Sequence, residues 1–150
     1  MKNALNPTVS AMTKEDVPAA AKLEKECFSS PWSEKSLLES LENKNSVFLC
    51  AKLGEVFVGY IGASTVLDEA YVSDIAVSKE ERRKGIGGKL LEECEKICRK
   101  KGCSFLSLEV RKSNKAATAL YEKHGFCILG ERKNFYSEPR ENALIMTKYF

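Results

Sequence analysis

A short basic segment that contains glycines, RRKGIGGK, occupies residues 82–89. Glycines let a ligand approach the backbone closely, and the neighbouring arginine and lysine side chains supply positive charge. Placed directly before a helix, such a segment presents free N–H groups together with the positive end of the helix dipole. This pattern predicts an anion-binding loop, and an anion with several phosphate oxygens fits it best. Taken alone, R-x-x-G-x-G is a weak signal, because a capping turn with a solvated basic rim can show the same pattern.

Two common nucleotide-binding motifs do not fit this segment. The phosphate-binding loop of nucleotide hydrolases requires Ser or Thr after Gly-Lys, but Leu90 follows Gly88 and Lys89. The dinucleotide fingerprint G-x-G-x-x-G fails as well, because Leu90 occupies the position of its third glycine. Nucleotide hydrolysis and hydride transfer are therefore disfavoured.

Glu109 and Tyr121 are candidates for proton-transfer chemistry. In the predicted strand FLSLEV, alternation places Glu109 on the face opposite the aliphatic side chains. Tyr121 lies on the predicted helix NKAATALYEKH, on the same side as Ala117 and facing that strand. Each residue also has an ordinary structural interpretation. A strand glutamate is commonly solvated or salt-bridged, and a helical tyrosine commonly belongs to the core.

The elements that must position these residues follow from hydrophobic periodicity and capping residues. A hairpin is predicted around Gly54, and Asn114 is a candidate N-cap. The interleaving of helices and strands predicts one α/β domain around a mixed sheet. Three helices are predicted over residues 16–28, 88–101 and 114–124, and a further helix is predicted to begin near residue 33. The predicted strands cover residues 46–53, 55–64, 70–78, 105–110, 126–136 and 141–150.

Six cysteines and one histidine raise the question of metal or thiol chemistry. No CxxC pair is present, and the helical spacing of Cys94 and Cys98 places both on the apolar face, so we interpret them as small core residues. No metal site and no disulfide framework are predicted. A cysteine nucleophile would require His124 to pair with Cys103 or Cys127, neither of which lies in an activating sequence context.

Composition limits the possible partners. A chain of 150 residues with 43% hydrophobic residues can bury the core of one domain. A net charge of +3 is too small for a non-specific nucleic-acid or membrane binder. Asn6, Pro7 and Ser10 interrupt the N-terminal segment before a signal-peptide core can form. We therefore expect a cytoplasmic protein without direct nucleic-acid or membrane partners.

The basic glycine segment and LEVRKSNKAATALYEKHGF together resemble the GCN5-related N-acetyltransferase (GNAT) superfamily. The segments PWSEK, VLDEA, DIAV and FYSEPRENALIM are similar to its ribosomal-protein alanine N-acetyltransferase branch. This resemblance implies a single N-acetyltransferase domain over residues 1–150, with a mostly antiparallel central sheet flanked by helices. It also implies that the protein transfers the acetyl group of acetyl-coenzyme A to the α-amine of an N-terminal alanine on a ribosomal protein.

The resemblance further implies roles for individual residues. Glu109 matches the proton acceptor of the branch, and Tyr121 matches the proton donor to the coenzyme A thiolate. Tyr136 would flank the acceptor groove. The positions that match acetyl-coenzyme A contacts are Ile75, Ala76 and Val77 on a strand, Arg82, Arg83, Lys84, Gly85, Ile86, Gly87 and Gly88 in the loop, and Asn114 beside the thioester.

Other functions are compatible with parts of this pattern. The acceptor could be a lysine side chain or a small-molecule amine. A non-catalytic acyl-coenzyme A sensor is a second alternative, and the presence of both Glu109 and Tyr121 argues against it. A ribosome-associated RNA-binding module would cluster basic and aromatic residues on one face, whereas the charges here are interspersed.

Overall fold

A computed structural model describes residues 6–150, which form one mixed seven-stranded sheet in the order β1-β2-β3-β4-β5-β7-β6. The strands are β1 (Thr8–Ala11), β2 (Ser46–Leu53), β3 (Val56–Val66), β4 (Glu69–Val77), β5 (Phe105–Arg111), β6 (Cys127–Ser137) and β7 (Arg140–Tyr149). The helices are α1 (Val17–Cys27), α2 (Glu34–Glu42), α3 (Ile86–Lys100) and α4 (Lys115–Lys123), with short 3-10 turns at Lys14–Asp16 and Lys79–Glu81. No helix in residues 6–150 has both the length and the apolar character needed to cross a membrane.

The sheet is antiparallel except between its two central strands. β4 and β5 run parallel and pair only over Glu69–Tyr71 and Phe105–Ser107. β4 then continues to Val77 on the β3 side, and β5 continues to Arg111 on the β7 side. The two strands therefore separate, which leaves an opening at the centre of the sheet. The predicted mixed, mostly antiparallel sheet is confirmed.

Helices cover the sheet in two layers, each with its own core. Leu37 of α2 is fully buried with side chains of α1, β2 and β3 on one face. Leu90 of α3 and Leu106 of β5 are fully buried in a larger cluster on the other face, which also contains Tyr121 of α4. Cys94 and Cys98 are fully buried in that larger cluster, which confirms their interpretation as core residues. Each buried aliphatic side chain contributes about 1.5–3 kcal/mol of transfer free energy.

Local capping signals set where the helices begin. The Ser33 hydroxyl oxygen accepts a hydrogen bond from the Ser36 N–H at 3.1 Å and starts α2. Asn114 Oδ1 accepts one from the Ala117 N–H at 3.0 Å and starts α4, as predicted. Each contact satisfies an N–H group that the first helical turn leaves unpaired.

Two sequence predictions need correction. α3 begins at Ile86 and not at Gly88, because Gly85 caps the helix in a left-handed conformation (φ 84°). The low helix propensity of paired glycines hides this start in the sequence. The four-residue edge strand β1 was not predicted, because a segment this short gives too weak a hydrophobic pattern. It is held by antiparallel pairing to β2.

Candidate active site

The opening between β4 and β5 is the centre of the candidate site. Near its start the register between β3 and β4 shifts, with Gly62 opposite Asp74 and Ala63 opposite Val72, so Ser73 is an extra residue in β4. Such a bulge bends the strand and turns it away from its neighbour. Beyond the bulge lie Ile75–Val77, whose edge toward β5 carries no strand pairing. A ligand can therefore pair with this length of backbone.

The predicted anion-binding loop lies directly after β4, at the start of α3. Arg83 (φ 64°) and Gly85 (φ 84°) both adopt left-handed conformations, which turn the chain tightly before the helix. Lys89 is the first residue of α3 whose N–H donates to a main-chain carbonyl, that of Gly85, at 3.0 Å. The preceding N–H groups, of residues 86–88, have no such partner within the described chain. This arrangement is a helix N-terminus open to an anion.

The basic side chains of the loop have different environments. Arg82 folds back onto the sheet, where its Nε donates to the Val77 carbonyl at 3.1 Å and its Nη2 to Cys27 Sγ at 3.3 Å. Lys84 forms an exposed ion pair with Glu81 at 3.0 Å. Arg82 thus ties the end of β4 to the end of α1, and the main-chain N–H groups of residues 86–88 are the donors that the candidate anion site offers.

Gly88 is needed for packing between helices. A Cβ atom at this position would lie 2.5 Å from Nε2 of His124, the C-cap residue of α4. A Cβ atom at Gly87 would meet only the flexible end of Leu120, at 3.3 Å. His124 therefore lies against Gly88, with its Nδ1 3.6 Å from a Glu92 oxygen. Within residues 6–150 it forms no hydrogen bond with a cysteine, which gives no support to a Cys–His nucleophile.

We expect Gly88→Ala to destabilise the fold by about 1–3 kcal/mol, because the added methyl group must displace the His124 ring or α3 itself. Thermal unfolding measures this loss. Gly87→Ala is the matched control and should change the melting temperature much less. Combining Gly88→Ala with His124→Ala should destabilise less than the sum of the two single changes. Strict additivity of the two would contradict the packing contact.

Glu109 and Tyr121 approach the opening from opposite faces of the sheet. Leu106, Leu108 and Val110 of β5 belong to the core beneath α3 and α4, as does Tyr121. Because side chains alternate along a strand, Glu109 points to the other face, the one that carries α1 and α2. It is exposed there and forms an ion pair with Arg132 of β6, with Nε and Oε2 2.5 Å apart.

Tyr121 is nearly buried, with its ring centroid 6.0 Å from that of Phe126. Burial raises the pKa of the Tyr121 phenol, and the nearby Asp74 and Tyr136 raise it further. Its hydroxyl forms no hydrogen bond with another residue in the described part of the chain. A neutral phenol without a protein partner is thus available at the opening as a proton donor.

Tyr136 lies on the α1 and α2 face, in the hairpin that joins β6 to β7. The guanidinium of Arg111 stacks on its ring at 4.3 Å and donates to the carbonyls of Glu138 and Pro139, at 3.1 and 2.8 Å. The Ser29 hydroxyl, between α1 and α2, donates to the same Glu138 carbonyl at 2.7 Å. The two loops therefore meet over this face, with Tyr136 beneath them. The sequence analysis did not identify Arg111 as the residue that holds them.

The sequence analysis also missed a buried polar cluster next to the opening. Glu24 of α1 is fully buried, and its oxygens accept hydrogen bonds from the Trp32 N–H at 2.9 Å and the Tyr60 hydroxyl at 2.6 Å. Burial, with the nearby Glu24, raises the pKa of the half-buried Asp74 of β4 to about 9. A signal was available, because Glu24 continues the apolar i, i+3, i+4, i+7 stripe of α1 that begins at Val17.

Comparisons with known proteins agree with this geometry. The sequence model of the Acetyltransferase (GNAT) family matches residues 17–126. The chain is 38% identical over 136 residues to a putative ribosomal protein bS18-alanine N-acetyltransferase of Bacillus subtilis, covering 90% of each chain. It is 38% identical over 141 residues to the ribosomal protein bS18-alanine N-acetyltransferase of Escherichia coli, covering 93% of this chain and 95% of that one. The crystal structure of the Escherichia coli S18-alanine enzyme superposes with a TM-score of 0.88 at 35% identity, over 96% of this chain and 94% of the other.

Proposed function

The chain belongs to the GNAT acetyltransferase family and is an acyltransferase, and on this premise we propose that it acetylates the N-terminal alanine of a ribosomal protein of the bS18 type. The donor in this proposal is acetyl-coenzyme A. The observation that carries the proposal is the opening between β4 and β5, which has Glu109 on one face and Tyr121 on the other. The similarity to the two bS18-alanine enzymes supports the choice of acceptor.

The chain has a surface that fits the donor. The N–H groups at the start of α3 that lack a main-chain partner suit a pyrophosphate, and the edge of Ile75–Val77 that carries no strand pairing suits an extended amide-containing arm. Gly85 makes the tight turn before α3 through its left-handed conformation, and Gly87 leaves the start of the helix without a side chain. Asn114 would lie beside the thioester, with Oδ1 engaged in capping α4. When bound, the donor supplies an acetyl group already activated as a thioester.

The two proton transfers of the reaction take place on opposite faces of the opening. The acceptor amine arrives from the α1 and α2 face, and Glu109 accepts its proton, through water where the two are not in direct contact. As the new C–N bond forms and the C–S bond breaks, Tyr121 gives its phenolic proton to the departing sulfur on the opposite face. Arg132 holds the Glu109 carboxylate in place, and Tyr136 borders the acceptor.

An α-amine suits this site better than a lysine side chain. At pH 7 an α-amine with a pKa near 8 is neutral about a tenth of the time, whereas a lysine with a pKa near 10.4 is neutral well under a thousandth of the time. Glu109 is the proposed base on the acceptor face. A single carboxylate is better matched to an α-amine, because the α-amine loses its proton more easily than a lysine side chain does. This argument favours the N-terminal amine.

We expect acetylation at the N-terminus of a peptide that begins with alanine and carries one internal lysine. The enzyme and acetyl-coenzyme A are incubated with this peptide, and fragmentation mass spectrometry locates the acetyl group. The matched control is the same peptide with its N-terminus already blocked, which should be a poor acceptor. Acetyl groups mainly on the lysine would overturn the choice of acceptor and leave family membership intact.

A further inference from the structure

Arg111 is the last residue of β5 and takes no part in the proton transfers described above. Ile145 of β7 pairs with Glu109, and Ala143 of the same strand pairs with Arg111. Because side chains alternate along a strand, Glu109 and Arg111 project from the same face of the sheet. The acceptor arrives from this face in the proposed mechanism. Arg111 therefore lies next to the proposed base, on the side of the hairpin that joins β6 to β7.

The tip of that hairpin, residues 136–140, is separated from the regular sheet by a bulge. Pairing between β6 and β7 stops at Arg132 opposite Ala143 and resumes at Tyr136 opposite Glu141, so residues 133–135 stand against one residue of β7. A bulge of this kind disrupts the ladder and bends the strand. The position of the hairpin tip relative to β5 therefore depends largely on side-chain contacts.

The half-buried guanidinium of Arg111 supplies these contacts. Its Nη1 donates to the Pro139 carbonyl at 2.8 Å, and its Nη2 donates to the Glu138 carbonyl at 3.1 Å. Nη1 also lies 3.2 Å from a Glu141 oxygen. The Cζ atom of the same group lies 4.3 Å from the centre of the Tyr136 ring. A planar group with several donors can make all of these contacts at once, which a lysine ammonium cannot do.

The segment between α1 and α2 is tied to the same point. The Ser29 hydroxyl donates to the Glu138 carbonyl at 2.7 Å, so this oxygen accepts from both Ser29 and Arg111. Three residues further on, the Trp32 N–H donates to the fully buried Glu24 at 2.9 Å, which anchors the segment in the core. The two loops that border the acceptor face thus share one hydrogen-bond acceptor.

We propose that Arg111 is a positioning residue for the acceptor, and that it fixes Tyr136 and the hairpin tip over the opening before the acceptor binds. This role rests on the proposed function. An acceptor that meets an ordered hairpin does not have to order it on binding, so less of its binding free energy is lost. The donor surface lies on β4 and α3, so the effect of Arg111 falls on the acceptor and not on acetyl-coenzyme A.

Arg111→Lys is the informative replacement, because lysine keeps the positive charge and lacks the planar fork. We expect it to raise the KM for a peptide that begins with alanine by a factor of about 10, because the acceptor must then order the hairpin. The kcat and the KM for acetyl-coenzyme A should change less than about twofold. Arg99→Lys is the matched control, since Arg99 of α3 pairs with Glu95 and stacks on Phe150 at 4.5 Å. It should leave all three constants unchanged.

Ser29→Ala tests the shared hydrogen-bond acceptor. We expect it to raise the acceptor KM about twofold, through loss of one neutral hydrogen bond. Combined with Arg111→Lys it should raise the KM by less than the product of the two single effects, because a released hairpin no longer holds the Glu138 carbonyl near Ser29. Ser46→Ala is the control, since its hydroxyl also donates to a main-chain carbonyl at 2.7 Å, that of Asn43. Fully multiplicative effects would contradict the coupling through Glu138.

Hydrogen exchange provides a readout that does not depend on the acceptor. Arg111→Lys should speed amide exchange in residues 133–142 by a factor of about 10 and leave α3 unchanged, whereas Arg99→Lys should not affect the hairpin. Unchanged exchange in the hairpin, or an unchanged acceptor KM, would overturn the positioning role. Equal rises in the KM for donor and acceptor would also overturn it. Failure of the unmodified chain to acetylate any α-amine would instead contradict the proposed function, and the exchange rates would still decide whether Arg111 orders the hairpin.

Discussion

Replacing Tyr121 with phenylalanine is expected to lower kcat for acetyl transfer by a factor of about 10², with little change in the KM for acetyl-coenzyme A. The change removes one hydroxyl group and leaves the ring in place beside Phe126. The sulfur of the donor would then leave as an unprotonated thiolate or take its proton from water. Either route is slower than transfer from a positioned acid.

The environment of Tyr121 suits this role over the whole working pH range. Burial raises the pKa of its phenol above the ordinary value of about 10, with further contributions from Asp74 and Tyr136, so the acid form is present at neutral and moderately alkaline pH. The rate deficit of Tyr121→Phe should therefore be nearly constant between about pH 6 and 8.

Release of free coenzyme A thiol under saturating donor and acceptor gives kcat directly. Tyr149→Phe is the matched control, since it removes one phenolic hydroxyl from an exposed ring at the end of β7. Full activity in Tyr121→Phe would show that another group protonates the sulfur. An unmodified chain that binds acetyl-coenzyme A tightly and transfers nothing would favour the acyl-coenzyme A sensor.

Glu109→Gln is expected to lower kcat/KM for the acceptor by a factor of about 10² at pH 6.5, with donor binding unchanged. The amide keeps the shape of the side chain and removes the proton acceptor. The deficit should shrink as the pH rises past the α-amine pKa of about 8, because the acceptor then arrives already neutral. The pH dependence distinguishes a lost base from a general disturbance of the site.

Loss of the ion pair with Arg132 must be separated from loss of the base. Glu131→Gln on the same strand as Arg132 removes a carboxylate that pairs with Lys112 at 3.2 Å, and it serves as the control. Both ion pairs are solvent-accessible, so neither change should destabilise the fold by more than about 1 kcal/mol. A deficit in Glu109→Gln that is independent of pH would argue against its assignment as the base.

Much of the local structure could be predicted because its determinants lie close together in the chain. Ser33 and Asn114 cap their helices through N–H groups three residues further on, which is a contact that sequence spacing alone specifies. Cys94 and Cys98 share the buried face of α3 because they are one helical turn apart. The sequence predicts the start of α3 two residues too late, because Gly85 caps the helix through its backbone conformation and has no side chain that would indicate it.

The order and type of the main elements, the basic, glycine-containing turn before α3, and the alternation that separates Glu109 from the aliphatic face of β5 all follow from the sequence alone. Which distant side chains meet at the opening depends on the tertiary structure. Glu24 and Tyr60, which are hydrogen-bonded, are 36 positions apart, and Arg132 reaches Glu109 from a different strand. The physical reason is that a buried carboxyl group is tolerated only where donors converge on it from several elements. That convergence depends on how β3, β4 and α1 pack together. It cannot be predicted from the hydrophobic periodicity of any single segment.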